Sequence, residues 1–325
     1  MGRLGGVLKK ILIIRFSSIG DIVLTTPVIR CIKEQKPGIE IHYLTKASFK
    51  GILENNPHIS KIHSIQKDVK EVIADLQKEN FDYVVDLHNN IRSMQTKKAL
   101  DKSVSTFKKL NFKKWILVNF KINQMPNVHV VDRYMDTISD LNVKNDKKGL
   151  DYFIPDKDEI NISALPASHK SGYIGFVIGA KHFTKQLPIE KIISICKKIN
   201  LPIILLGGKE DEQRGKEIET AVGTNIYNAC GKYNLNQSAS IIRQATKVIT
   251  HDTGLMHIAA AFKKEIISVW GNTVPAFGFA PYLPAPQSKM VEVKNLSCRP
   301  CSKIGHDKCP KGHFKCMMEI DEGEF

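Results

Sequence analysis

The sequence predicts an α/β fold of two doubly wound domains, and three observations carry that prediction. The chain has 325 residues, which fits two domains of about 150 residues each. Short aliphatic runs of strand length alternate with helix-period segments through both halves, the grammar of parallel sheets joined by crossover helices. A polar stretch from about 142 to 170, carrying Pro155 and Pro166, separates the two alternations. The expected domains are residues 1–165 and 166–325.

In the first half, ILIIRF (11–16) reads as a buried strand that ends at a turn bounded by Gly20. Thr26 as N-cap and Pro27 at the first helical position open a helix. It is expected to run to Lys36 and stop at Pro37-Gly38. IEIHYLT is the next strand, VKEVIADLQKEN has helical period, and FDYVVDLH is a strand ending in polar groups. The second half alternates more cleanly. GYIGFVIGA, PIILLGG, NIYNACG, KVITHD and EIISVWG read as strands. Between them LPIEKIISICKKI, EDEQRGKEIETAV, LNQSASIIRQA and GLMHIAAAF read as helices, the first opened by Pro188.

Composition excludes some classes. No run of 18 apolar residues appears, so no membrane-spanning helix is expected. The start MGRLGGVLKK is basic, but the six-residue ILIIRF carries an arginine and no small-residue cleavage site follows, so it is not read as a signal peptide. Gly6 stands where N-myristoylation needs serine or threonine. The expected location is the cytoplasm. Formal net charge is +15, and its distribution is uneven. From Arg92 to Lys121 the chain carries nine lysines and arginines against one acid, Asp101, interleaved with Phe107, Phe112, Trp115 and Phe120. This pattern reads either as a surface for anions or as a solvated helical hairpin with an apolar face.

Parallel sheets place their chemistry just beyond the carboxyl ends of the strands. After the first strand stand Ser18, Gly20 and Asp21, without the G-x-G-x-x-G fingerprint. Asp21 is either a turn or cap residue or a working carboxylate. After FDYVVDLH come Asp86, His88, Asn89, Asn90 and Arg92, which either line a site or close a loop. After GFVIG come Ala180, Lys181, His182, Thr184 and Lys185, ahead of a helix. Lysines before a helix N-terminus suit an anion, the alternative being a solvated loop. After PIILLGG, Glu210, Asp211 and Glu212 suit a helix start, and an acid there also suits ribose hydroxyls. After KVIT, Thr253 reads as an N-cap, Gly254 allows close backbone approach, and a diphosphate fits the amides. His257 lies one turn further on, facing that ligand or packed in the core.

Taken together, these stretches resemble the heptosyltransferase family, glycosyltransferase family 9. The resemblance rests on RFSSIGDIVLTTP, DLHNNIRS, GAKHFTKQLP, LLGGKEDE and ITHDTGLMHIAAA, in this order, over roughly residues 11–317. It implies a GT-B architecture, two Rossmann-like doubly wound domains facing a central cleft. The acceptor is expected on the first domain and the nucleotide sugar on the second. It implies inverting transfer with no metal or other cofactor required for catalysis. Asp21 matches the family's catalytic base and Lys185 the lysine that neutralises the leaving diphosphate. Asp252, Thr253, Gly254 and His257 match its donor-binding motif, with Gly179 and Ala180 beside them. The ribose-binding acid falls at Asp211 or Glu212. Ser18, Gly20, Asp86, His88, Arg92 and Arg133 are the expected acceptor residues, with His129 and Tyr134 as neighbours of Arg133. Leu187 stands where tryptophan is common, and Asn89-Asn90 replace a pair that usually contains glycine.

The implied donor is an ADP-heptose-like nucleotide sugar. The implied acceptor is the lipopolysaccharide inner core, acidic Kdo sugars on phosphorylated lipid A. The basic, aromatic segment 92–121 then meets acceptor phosphates or the anionic inner leaflet, which makes the enzyme peripheral to the cytoplasmic face of the inner membrane. Four of the seven cysteines cluster near the end as Cys298, Cys301, Cys309 and Cys316. That tail, about 298–316, suggests a structural zinc site, with the second pair spaced more loosely than in a zinc ribbon. Cys31, Cys196 and Cys230 read as core. The rivals are an enzyme of the same fold with another nucleotide sugar, a nucleic-acid-binding protein with a zinc tail, and a catalytically silent scaffold. Nucleic acid is not expected, because no such motif appears and the basic cluster lies far in sequence from the cysteines.

Overall fold

The computed structural model describes residues 8–325; the reading of the first six residues lies outside them. The chain forms two compact units. One takes the residues up to Lys109 together with Val130–Phe153, and the other takes Leu110–His129 with Ile154–Phe325. The basic, aromatic stretch is therefore divided. Residues 92–109 belong to the first unit, and 110–121 to the second.

The first unit is a five-stranded parallel sheet of β1 (Lys10–Ile14), β2 (Glu40–Lys46), β3 (Lys61–Ile65), β4 (Tyr83–Asp86) and β5 (Ser103–Thr106). Its spatial order is β3-β2-β1-β4-β5. The four aliphatics of β1 are all buried, because a parallel strand covered on both faces reads as a continuous apolar run. Ile14 pairs with Leu44 on one side and Asp86 on the other. Helices α1 (Ile19–Val23), α2 (Thr26–Gln35), α3 (Ile73–Lys78) and α4 (Ile91–Leu100) follow the strands. α5 (Asn111–Phe120) lies in the second unit, and α6 (Val130–Thr137) returns to the first.

The start of this unit differs from the sequence-based expectation in two ways. Asp21 lies within a short helix of its own, α1, whose N-cap is Ser18. The N-cap of α2 is Thr25, one residue earlier than expected, and Pro27 is its second residue. Both threonine hydroxyls fold back on the preceding turn, Thr25 Oγ1 donating to Ile22 O and Thr26 Oγ1 to Val23 O, each at 2.7 Å. Strands β3 and β5 were not expected. KIHSI and SVST are short edge strands too poor in aliphatics to stand out.

The second unit is a six-stranded sheet in the order β11-β10-β9-β6-β7-β8. Its strands are β6 (Ile174–Val177), β7 (Ile203–Leu206), β8 (Ile226–Asn228), β9 (Lys247–His251), β10 (Glu265–Trp270) and β11 (Lys289–Glu292). All paired strands run parallel. Helices α7 (Ile189–Lys198), α8 (Glu212–Val222), α9 (Leu235–Gln244) and α10 (Gly254–Ala261) match the four expected between strands, and α11 (Lys315–Met318) lies near the end of the chain. Only β11, whose four residues KMVE include two polar ends and two exposed side chains, escapes the sequence pattern.

Each sheet reverses its strand order beside its first strand, β1 next to β4 and β6 next to β9. Loops leaving two neighbouring strands in opposite directions open a crevice there, which is where such sheets take ligands.

Candidate functional site

In the first unit, the segments leaving β1 and β4 are locked together by Arg15. Its side chain is buried, so its donors must be met. Nε donates to Ser17 O at 2.8 Å, and Nη1 donates to Leu87 O at 2.7 Å and to the Tyr134 hydroxyl at 3.0 Å. Nη2 pairs with Asp21 Oδ1 at 2.7 Å. Burial opposes the charge of Arg15, and Asp21, ahead of Tyr134 and Tyr43, more than restores it, so its pKa is raised. The second Asp21 oxygen accepts from the Ser18 hydroxyl at 2.6 Å and the Ser18 amide at 3.2 Å. That is the acidic half of a capping box, with Asp21 at the third helical position. Gly20 is buried in the same turn, while Asp21 keeps part of its side chain, 24 %, open to solvent. The cap and the charged group are thus one residue.

Asp86 is completely buried. Oδ1 accepts from the amides of His88 (3.0 Å) and Asn89 (2.7 Å), and Oδ2 pairs with Lys97 at 2.8 Å. Its carboxylate shapes the loop that presents His88. The amide of Phe16 donates to His88 Nδ1 at 3.2 Å, which leaves the proton of the neutral ring on Nε2. Burial, then the charges of Arg15 and Lys109, push the His88 pKa down to about 3. Arg92 donates to Lys67 O at 2.9 Å and braces α4 against a neighbouring loop. Arg133 donates to Lys108 O and lies over the Phe107 ring, 4.8 Å from its centroid. Asp21, His88 and Tyr134 are gathered around Arg15, whereas Arg92 and Arg133 are anchored to other loops. His129 belongs to the second unit, its Nε2 2.8 Å from Ala280 O.

In the second unit, the loops after β6 and β9 are joined by one ion pair. Lys185 Nζ lies 2.6 Å from Asp252 Oδ2 and donates to Asp252 O at 3.2 Å. Thr273 supplies a hydroxyl to the same carboxylate oxygen at 2.9 Å. Thr253 is the N-cap of α10, and its side chain makes no capping bond; residues 253–255 are partly exposed at the helix start. A lysine beside a helix N-terminus is the arrangement an anion requires. His257 is buried inside α10. Behind this layer, His251 Nε2 accepts from the Leu187 amide at 3.0 Å. Complete burial, then the charge of Arg214, lowers its pKa to about 3.

Asp211 and Glu212 separate clearly. Asp211 is buried, accepts from the Gly208 amide at 2.9 Å, and has its pKa raised by burial. Its carboxylate lies flat against Gly179, where any Cβ would overlap it. Glu212 is exposed at the start of α8. Ala180 O accepts from Gln186 Nε2 at 2.6 Å, which closes the loop on itself.

Some organising contacts gave no local sequence signal. Arg15 opens the RFSSIGD motif, but its partner Tyr134 is more than a hundred residues away, and Arg214 lies on α8. Arg214 donates to Ile178 O, Gln186 Oε1 and Leu187 O and so fixes the loop after β6. Arg299 donates to the carbonyls of Gly271, Val293, Trp270 and Thr273 and pairs with Glu292 at 2.9 Å. It holds Thr273 in place for Asp252.

The cysteine tail packs against the loop after β6. Thr184 and His306 exchange bonds: the Thr184 amide donates to His306 O, and the His306 amide to Thr184 Oγ1 at 2.8 Å. Gly305, at φ +133°, lets the chain pass where a Cβ would sit 2.5 Å from His182 Cβ. All four tail cysteines are free thiols. Burial, then the neighbouring Cys298 and Cys309, raises the pKa of Cys301. Burial, then Cys301, pushes Cys316 up to about 12. Among the described residues, the group of three potential ligands gathered within 4.8 Å is a different one, His42, His63 and Glu79. That group is already paired, His42 with His63 at 3.1 Å and Glu79 with Lys10 at 2.9 Å and Lys61 at 2.5 Å. It sits toward the amino ends of β1, β2 and β3, away from Asp21.

The model of glycosyltransferase family 9 (heptosyltransferase) matches residues 69–311. The chain belongs to this family. It is a glycosyltransferase. Among its relatives, lipopolysaccharide heptosyltransferase 1 of Campylobacter coli is 29% identical over 288 residues, 81% of this chain and 84% of that protein. A family 9 glycosyltransferase structure from Veillonella parvula shares the fold at TM-score 0.72 and 20% identity, over 87% of this chain and 85% of that one. E. coli ADP-heptose LPS heptosyltransferase II does so at TM-score 0.70 and 18% identity, over 95% and 98%. The two parallel-sheet units are those of the GT-B class. Motifs far apart in a family 9 sequence meet here at two switch points.

Proposed function

We propose that this family 9 enzyme moves a heptose from an ADP-heptose-like donor to the Kdo–lipid A inner core of lipopolysaccharide, with inversion and without a catalytic metal. Asp21 takes the proton of the acceptor hydroxyl as its oxygen attacks the anomeric carbon. The bond from that carbon to the diphosphate breaks, and the electron pair leaves with the diphosphate. Lys185 and the first-turn amides of α10 receive the charge that develops there. Asp252 positions Lys185, Asp211 or Glu212 takes the ribose hydroxyls, and His88 and its loop contact the acceptor. Gly179 keeps the loop after β6 close to Asp211.

The observation that carries this reading is the Arg15–Asp21 pair at 2.7 Å. A carboxylate held by a buried guanidinium and a hydroxyl, yet partly open to solvent at a switch point, is more than a helix cap. The test is transfer from ADP-heptose to a Kdo-bearing lipid A acceptor, run beside UDP- and GDP-sugars. Transfer by wild type and its loss in Asp21→Asn and Lys185→Ala support the reading. No transfer from ADP-heptose, with transfer from another nucleotide sugar, replaces the donor.

The tail belongs to the same proposal as a structural zinc site. Four soft sulfur donors suit zinc, and the tail leans on the loop that carries Lys185. Elemental analysis of the purified protein tests this: about one zinc per chain is expected, and less than about a tenth of an equivalent removes the site from the proposal. The reading also places the enzyme on the cytoplasmic face of the inner membrane; among the described residues no helix is long and apolar enough to cross a membrane.

A further inference from the structure

We infer that α5 and the tail loop of the second unit form one docking surface for anionic phospholipid. α5 is a helix turned inside out. Its only buried side chain is Leu117, and the same face is pinned by two lysines. Lys114 Nζ lies 4.7 Å from the centroid of the Phe279 ring, and Lys121 Nζ donates to Pro300 O at 2.7 Å. The opposite face presents Phe112, 71% exposed, and Trp115, 47% exposed, with Phe120 beside them at 59%. Phe112 and Trp115 stack with centroids 6.1 Å apart, and Phe120 meets Trp115 edge-on at 5.4 Å. Water is a poor solvent for three clustered aromatic rings, and the membrane interface is a good one.

Charge selects the occupant. Residues 110–129 carry three lysines and no acid. Lys121 ties the helix end to Pro300, and from there the tail loop presents exposed Lys303, Ile304, Lys308 and Lys311. Two basic segments nearly two hundred residues apart in sequence are therefore adjacent within one unit. Aromatic rings flanked by lysines fit a surface whose interior is apolar and whose headgroups are negative. A second copy of this chain would bring like charge against like.

This inference deepens the proposed function and rests on it only for why a membrane should be nearby. The probe is vesicles of phosphatidylglycerol, compared with vesicles of phosphatidylcholine, neither holding any sugar acceptor. The chain has two tryptophans. Trp270 is buried and donates to Ser268 Oγ, so a change in emission reports Trp115. The expected result is co-sedimentation with phosphatidylglycerol vesicles alone, a blue shift of emission, and quenching by brominated lipid. Phe112→Ser with Phe120→Ser should abolish the shift while leaving the circular dichroism spectrum unchanged. Lys303→Gln with Lys308→Gln and Lys311→Gln should weaken partition about a hundredfold, about fivefold per lysine. An emission unmoved by phosphatidylglycerol overturns the inference. So does a shift that follows protein concentration with a doubling of mass, which assigns the face to a second copy. A shift with an oligonucleotide but not with vesicles assigns it to nucleic acid and equally overturns it. Transfer to a deacylated, soluble acceptor keeps the two readings apart, since it requires the proposed activity and no lipid surface.

Discussion

The two switch points use the same backbone geometry for opposite electrostatic ends. Beside β1, a buried guanidinium holds a carboxylate, and the group left partly open to solvent is negative. Beside β6, a buried network holds a carboxylate that in turn holds a lysine, next to the positive end of a helix. In both, a strand-end loop is fixed by an arginine that saturates nearby carbonyls, Arg15 in the first unit and Arg214 in the second. The difference lies in what the arginine leaves unspent. Arg15 still reaches Asp21 through Nη2, whereas Arg214 gives its Nη1 and Nη2 bonds to Ile178, Gln186 and Leu187. One architecture thereby presents a partly open carboxylate in one unit and a lysine beside a helix start in the other.

The comparison is most sharply tested at Asp21. Asp21→Asn keeps the size of the side chain and an acceptor for Ser18, so transfer should fall by about 10²–10⁴-fold. Calorimetric binding of ADP should be unaffected; a variant of full rate would reduce Asp21 to a cap. Lys185→Ala should lower the rate by about 10²–10³-fold and, in contrast, weaken ADP binding as well. Equal effects on nucleotide affinity from both substitutions would erase the distinction between the units. Gly179→Ala forces a methyl group into the Asp211 carboxylate and should destabilise the protein by about 1–3 kcal/mol. Thermal unfolding would show it, and an unchanged melting temperature would mean that the loop moves aside freely.

The comparison also extends to pH. His63 and His88 in the first unit and His251 in the second have pKa values lowered to about 4, 3 and 3. In each case burial is the first cause. A histidine whose folded pKa is lowered favours the folded state above its unfolded pKa, near 6.5, and loses that contribution as pH falls toward the folded value. Stability should therefore decline from about pH 6.5 down to about 3–4, on top of any carboxylate effects. Two of the three groups lie in the first unit, so amide exchange there should quicken first. A stability flat from pH 7 to 4 would mean that these rings protonate without cost.

How much of this was legible in the sequence follows from range. Strands with continuous aliphatic runs, such as β1, β6 and β7, and helices with clear period, such as α7, announce themselves within ten residues. The edge strands β3, β5 and β11 do not, because an edge needs few apolar residues. Asp21, Lys185 and the run 252–257 were legible as motifs. The pairing of Lys185 with Asp252 spans 67 residues, and that of Arg15 with Tyr134 spans 119; no local pattern encodes either. Asp86, read from sequence as either lining a site or closing a loop, has its buried carboxylate taken up by the amides of His88 and Asn89 and by Lys97. The distance in sequence between the lysine cluster and the cysteine tail, one ground for not expecting nucleic acid, is bridged at the end of α5 by the bond from Lys121 to Pro300.

The last stretch of the chain has a practical consequence. Phe314, Cys316, Met317 and Ile320 are buried in the same cluster as Phe176, Ile249 and Val269, and Glu322 clasps Lys191 and Lys198 on α7. Residues 314–322 are thus interior wall of the second unit. Truncation before Cys298 would remove these side chains and open the second sheet's core to solvent.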